Sequence, residues 1–156
     1  MHTLSVLLSK TNTIIGTSIR VLFGGEYNHC AIMLDDDYSY IYSFTRKFKY
    51  CWFTGCFTIE PYNRFTDFIK YDISITDDEY NDIINFVDEL NKSFRFYNYI
   101  GAILLPFGVV IDFKHHFVCS TFVAKVLSLT ENIDLDKSVH LYRPNDIYNL
   151  VIKSSH

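Results

Sequence analysis

The chain has 156 residues, 49% of them apolar and 21% charged, with a net charge of −4. A chain of this length is expected to form one domain, residues 1–156, with material for a real core. No sustained basic run is present, which argues against a nucleic-acid partner held through many phosphates. No stretch approaches the roughly 20 apolar residues of a membrane span, so stable membrane insertion is not expected.

The opening MHTLSVLLSKTNTIIG lacks a basic n-region and a long apolar run, so no secretory signal is read there. A cytoplasmic, reducing location is the expectation, although a phage product or a protein exported without a signal shares these features. The four cysteines, Cys30, Cys51, Cys56 and Cys119, do not have the spacing of a small disulfide scaffold. The 14 Phe, 12 Tyr and 1 Trp favour strands and fill cores, so substantial sheet is expected.

In chain order, TLSVLLS at 3–9 reads as a buried strand. Residues 11–22 carry Ile15, Ile19 and Leu22 at helical spacing, with Gly16 weakening the helix and Gly24 and Gly25 ending it. YNHCAIML and YSYIYSFT, separated by Asp35, Asp36 and Asp37, read as a β-hairpin with a solvated acidic turn. Three aspartates suggest calcium, but no glycine and bidentate glutamate follow at loop spacing. Residues 46–67 read as a surface excursion containing a short strand, FTIE, at 57–60. FIKYDISI at 68–75 alternates like a strand.

Thr76 and Glu79 form a capping-box pattern, and the following helix offers Tyr80, Ile83, Ile84, Val87 and Leu90 as its inner stripe. Residues 97–110 read as a buried helix ended by Pro106 and Gly108. VHLYRP at 139–144 reads as a strand, and a short final helix follows Pro144 with Ile147, Leu150 and Val151 inward.

The segment FKHHFVCSTFVAKVL is the most informative about chemistry. From Cys119 the apolar residues Phe122, Val123, Val126 and Leu127 mark one face of a helix. Cys119 therefore opens the first turn, where unpaired N–H groups and the positive helix end favour thiolate over thiol. The plainer reading is a small buried residue of a core helix.

A nucleophilic cysteine needs a base, and a third group to orient it. Among six histidines, His29 is the best base: it sits on a predicted strand among Tyr27, Ala31, Ile32 and Met33, where an imidazole needs a partner. Tyr42 or Ser43, on the next strand, could accept its second N–H. Both are also ordinary strand material. His115, His116, Cys119, Cys51 and Cys56 offer enough N and S ligands for zinc, but the Cys51–Cys56 spacing is loose and adjacent histidines rarely bind one ion. No metal or cofactor is expected.

YNHCAIML, the acidic turn, YIYSF, YNYIGAI and FVCSTFVAKVL, in that order, resemble the circularly permuted NlpC-type papain-like amidases. That group includes YiiX-like bacterial and poxviral proteins and, distantly, lecithin:retinol acyltransferase. The resemblance spans roughly residues 3–150. It implies an α+β papain-like fold, an antiparallel sheet packed with helices, in which the histidine precedes the cysteine. It implies Cys119 as nucleophile, His29 as base, and Tyr27, Tyr97 and Tyr99 as substrate-side aromatics. RPNDIYNL resembles the Pro-x-Asp helix that closes such domains. The family's third residue is typically His, Glu, Asn or Gln, whereas the matching stretch here offers Tyr42 and Ser43.

The expected function is a cysteine hydrolase cutting an amide in a peptide or isopeptide, such as a cell-wall stem peptide, through an acyl-enzyme. Its partner would be a peptide or acyl substrate. The alternatives are a lipid acyltransferase or thioesterase on the same dyad, and a papain-like binding module without turnover.

Overall fold

A computed structural model describes residues 1–10, 25–34, 40–45, 56–62, 68–92 and 117–154. Its strands are β1 (His2–Ser9), β2 (His29–Leu34), β3 (Tyr40–Thr45), β4 (Cys56–Pro61) and β5 (Phe68–Ile75). The described helices are α1 (Asp77–Lys92), α2 (Cys119–Leu127) and α3 (Pro144–Ser154). The fold is α+β: one five-stranded antiparallel sheet, in the order β4-β3-β2-β1-β5, packed with helices.

The strands follow the period-two rule. On one face, Leu4, Val6 and Leu8 of β1 join Cys30 and Ile32 of β2 and Phe44 of β3 in the main core. Val87 of α1, Phe122 and Val126 of α2, and Ile147 and Val151 of α3 join the same cluster. On the other face, Leu7, Ala31, Met33 and Ile41 form a smaller buried cluster with Tyr62 and Phe68 against it. The expected strands at 3–9, 57–60 and 68–75 and the paired strands around residues 27–34 and 38–45 are all present, to within a residue or two of their ends. The expected helices at 11–22 and 97–110, the acidic turn at 35–37 and the excursion at 46–55 lie outside the described residues.

Helix α1 begins as the capping box requires. The Thr76 N–H donates to Glu79 Oε2 at 2.6 Å, and the Glu79 N–H donates to Thr76 Oγ1 at 3.3 Å. Ile83, Val87 and Leu90 are buried, with Tyr80 and Ile84 half-buried beside them. Glu79 is also buried, because its second oxygen accepts the Glu131 N–H at 2.6 Å, tying the α1 start to the turn after α2.

Two expectations are revised. VHLYRP is not a strand: Val139–Leu141 is a 3-10 turn, Tyr142 is extended, and α3 starts at Pro144. Tyr142 is held by groups outside any ladder. Its hydroxyl donates to Asp136 Oδ1 at 2.6 Å, and its carbonyl accepts Ser120 Oγ–H at 2.6 Å. Proline at the first helical position then suits α3, and Asp146 accepts the Arg143 N–H at 2.9 Å. Helix α2 has its predicted face buried, but its other side is buried too, apart from half-buried Lys125. Its polar residues are internally satisfied, since Thr121 Oγ1 accepts the Val118 N–H at 3.0 Å and Ser120 bonds Tyr142.

Backbone hydrogen bonds from Thr76 and Glu131 hold the Glu79 carboxyl below the usual carboxylate range. That stabilisation is full above the unfolded value of about 4.3 and is lost as pH falls through the lower folded value. Glu79→Gln presents an NH2 to one of two N–H donors, so denaturant melts at neutral pH should show a loss of about 1–3 kcal/mol. The variant should also lose part of the acid-side decline of the wild type.

Candidate active site

Helix α2 packs on β2 and β3. The rings flanking Cys119 fix that packing. Phe122 lies 5.6 Å from both Phe44 and Phe57, and Phe117 lies 5.7 Å from Phe44 and 5.8 Å from Phe86. Cys119 is the first residue of α2 and is 6% exposed. The residue before it, Val118, is in extended backbone and has no side-chain oxygen to cap the first-turn amides.

The sulfur of Cys119 is met by groups from the start of β2. The Cys30 thiol, the His29 imidazole and the Cys30 backbone N–H each favour negative charge on it. The hydrogen bond from Cys30, then the bond and charge of His29, hold the Cys119 thiol well below the usual thiol range against the opposing effect of burial. Burial, reinforced by the negative sulfur of Cys119, pushes the Cys30 thiol well above that range. Within this buried pair the thiolate belongs on Cys119, because the helix start, the imidazole and the backbone N–H all face it. Both cysteines are free.

The structure thus brings His29 and Cys119 together. Tyr42, half-buried on β3, has its ring 6.4 Å from Phe57 and is influenced by Tyr80 and Asp88 of α1. It pairs with Ile32, three residues or roughly 10 Å along β2 from His29. Ser43 is buried with its hydroxyl 3.3 Å from Thr58 Oγ1. Tyr27 packs its ring on Tyr148 of α3 at 5.0 Å, with Lys10 Nζ 5.6 Å from its centroid. Tyr97, Tyr99, His115, His116 and Cys51 lie outside the described residues.

Sequence reasoning missed Cys30. The signal was present, since a cysteine beside the candidate base on the same strand is a second thiol brought near the first. It also missed the clamp that sets the approach to His29. Asn145, at the start of α3, accepts the Tyr27 N–H on Oδ1 at 3.1 Å, and its amide lies where a side chain on Gly25 would stand, so a larger residue at 25 would have to displace that amide.

Among the described residues, no group of three or more His, Cys, Asp or Glu side chains is arranged to hold a metal, and no helix is long and apolar enough to cross a membrane. A pocket of about 200 Å3 lies against α3, lined in part by Asp136, Lys137, Tyr142, Asp146 and Lys153. Its charges are largely spent on one another, with Lys137 Nζ 2.8 Å from Asp146 Oδ2, and it lies apart from the cysteine.

Three outcomes follow from this geometry. Peptide-mapped alkylation by a small reagent should find Cys119 reactive at and below neutral pH, losing reactivity only as pH falls through its depressed value. Cys30 should stay inert until well above the ordinary thiol range. Cys30→Ala should slow Cys119 alkylation near neutral pH by about tenfold, the worth of one hydrogen bond to a charged group, while Cys30→Ser keeps a donor and most of the rate. Gly25→Ala should displace the Asn145 amide and lower the melting temperature, with an accompanying fall in Cys119 reactivity as the segment leading to His29 shifts.

Comparison of the chain with protein-family models, with curated proteins and with solved structures found no match.

Proposed function

We propose that the protein is a papain-like cysteine hydrolase of the permuted type, cutting an amide bond in a peptide or isopeptide. The observation that carries this reading is the hydrogen bond from His29 to a thiolate-favouring Cys119 at a helix start. An imidazole on a sheet strand facing a cysteine at a helix N-terminus is the working arrangement of papain-like enzymes, and His29 precedes Cys119 as the permuted order requires.

In this mechanism the Cys119 thiolate attacks the carbonyl carbon, and the carbonyl π electrons move onto oxygen. The first-turn N–H of Cys119, which Val118 cannot cap, is available to that oxyanion. His29 then gives its proton to the leaving amine as the C–N bond breaks. Water, deprotonated by His29, attacks the thioester and releases the acid with Cys119 restored. The same sequence applied to a thioester gives a thioesterase, and attack on a lipid ester followed by an alcohol or amine in place of water gives an acyltransferase.

A binding module without turnover is the second reading. It is favoured by one observation: where the family's third residue is matched, Ser43 has its hydroxyl 3.3 Å from Thr58 Oγ1 and Tyr42 stands opposite Ile32, three residues along β2 from His29.

A panel of amide and thioester substrates, with an electrophilic thiol probe, separates these readings. The hydrolase reading expects Cys119→Ala to abolish both labelling and turnover. His29→Ala should lose nearly as much, and the double variant should be little worse than either, because the pair acts as one unit. Full activity in His29→Ala would remove the dyad. Probe labelling without turnover of any substrate would favour the binding module.

A further inference from the structure

Two thiols meet where α2 covers the sheet. Period-two alternation places Cys30 and Ile32 of β2 on the face of the main core, with Ala31 and Met33 on the other face. Helix α2 packs on β2, and its first residue, Cys119, belongs to the same core cluster as Cys30. The two side chains are hydrogen-bond neighbours, and neither is in a disulfide. They differ in access: Cys119 is 6% exposed and Cys30 is 0% exposed. The hydrolase reading uses Cys119 as nucleophile and gives Cys30 no covalent role.

We propose that Cys30 and Cys119 form an intramolecular disulfide when Cys119 meets a hydroperoxide, with Cys30 as the resolving thiol. The inference goes beyond the hydrolase reading, because it needs the two thiols and not turnover. In the first step the Cys119 thiolate attacks one peroxide oxygen and the O–O bond breaks. The departing hydroxide takes the His29 proton and leaves as water, and Cys119 becomes a sulfenic acid. In the second step the Cys30 sulfur attacks the Cys119 sulfur and the S–O bond breaks. The hydroxide released takes the Cys30 proton and leaves as a second water. The thiol pair has then lost two electrons and the peroxide has gained them.

The surroundings favour the second step over further oxidation. Cys30 already stands beside the sulfur it must attack, whereas a second peroxide must come from solvent to a nearly enclosed site. Burial, and then the hydrogen bond and negative charge of Cys119, keep Cys30 a thiol in the reduced protein. A neutral sulfenic acid carries no such charge, so Cys30 gives up its proton more readily once Cys119 is oxidised. A dithiol reductant returns the two electrons by thiol–disulfide exchange and restores both thiols.

The test treats the whole reduced chain with a small excess of hydrogen peroxide near neutral pH. Intact mass, a non-reducing peptide map and Cys119 alkylation are then read. Wild type should lose two hydrogens per chain, yield a peptide linking Cys30 to Cys119 and lose Cys119 alkylation completely. A dithiol should restore alkylation in full. Cys30→Ser should give no such peptide. Its Cys119 sulfenic acid should be trapped by a cyclic dione and otherwise pass to sulfinic acid, after which a dithiol no longer restores alkylation. Wild-type Cys119 that ends as sulfinic acid with Cys30 still a thiol overturns the inference. So does a disulfide that joins Cys119 to Cys51 or Cys56 instead. Either result leaves the hydrolase reading to its own test, the loss of turnover in Cys119→Ala and His29→Ala. A Cys30–Cys119 link in a protein that turns over no substrate upholds the inference while the hydrolase reading fails. Should Cys30→Ser fold poorly, the wild-type map decides alone.

Discussion

The docking of α2 by the rings of Phe117 and Phe122 is the constraint on which the rest depends. These side chains sit two residues before and three after Cys119, and between them they touch Phe44, Phe57 and Phe86 from the sheet and α1. Aromatic pairs of this kind add about 0.5–1.5 kcal/mol each beyond the apolar area they bury. A sulfur at the first helical position inherits that rigidity. It cannot move away from β2 unless several interlocked rings move with it.

Burial of that sulfur creates an electrostatic problem that the strand resolves. A thiolate withdrawn from water is unfavourable, and the same burial that raises the Cys30 thiol acts on Cys119 as well. The two thiols lie in one core and yet behave oppositely. The difference is one of donors. Cys119 is met by a thiol, an imidazole and a backbone N–H, whereas the chief influence on Cys30, beyond burial, is the negative sulfur beside it. A hydrogen bond to a charged acceptor is worth about 1.5–3 kcal/mol, so two or three of them outweigh desolvation of one polarisable sulfur. Cys30 is thus part of what makes Cys119 reactive and not merely core filling.

Much of the frame was legible in the sequence, because its signals are local. Period-two alternation marked the strands, Thr76 and Glu79 marked the start of α1, and the Cys119 stripe marked α2. The misread segment, VHLYRP, has strand-like composition, but its extended residue is fixed by Asp136 and Ser120, contacts that local composition does not encode. The candidate site was legible in its pair and illegible in its surroundings. His29 stood out as an imidazole among apolar residues. Cys30 did not, because a cysteine inside a strand has an ordinary explanation, and only the packing of α2 on β2 gives it Cys119 as a neighbour.

The register sets Tyr42 and Ser43 some way along the sheet from the start of β2. Strand β2 pairs with β1 along its full length, down to His29, whereas its recorded partners on β3 are Tyr42 and Ile41, opposite Ile32 and Met33. At the His29 end, therefore, one flank of β2 is a continuous ladder and the other gives its Cys30 N–H to a sulfur. A side chain on the continuous flank is held at fixed distance and height by the ladder bonds on either side of it. Tyr42 and Ser43 are held just as firmly, but by Phe57 and Thr58 on β4, away from the imidazole. Helix α2 packs on β2 and β3, so the start of β2 presents both the base and the thiol to the first residue of that helix.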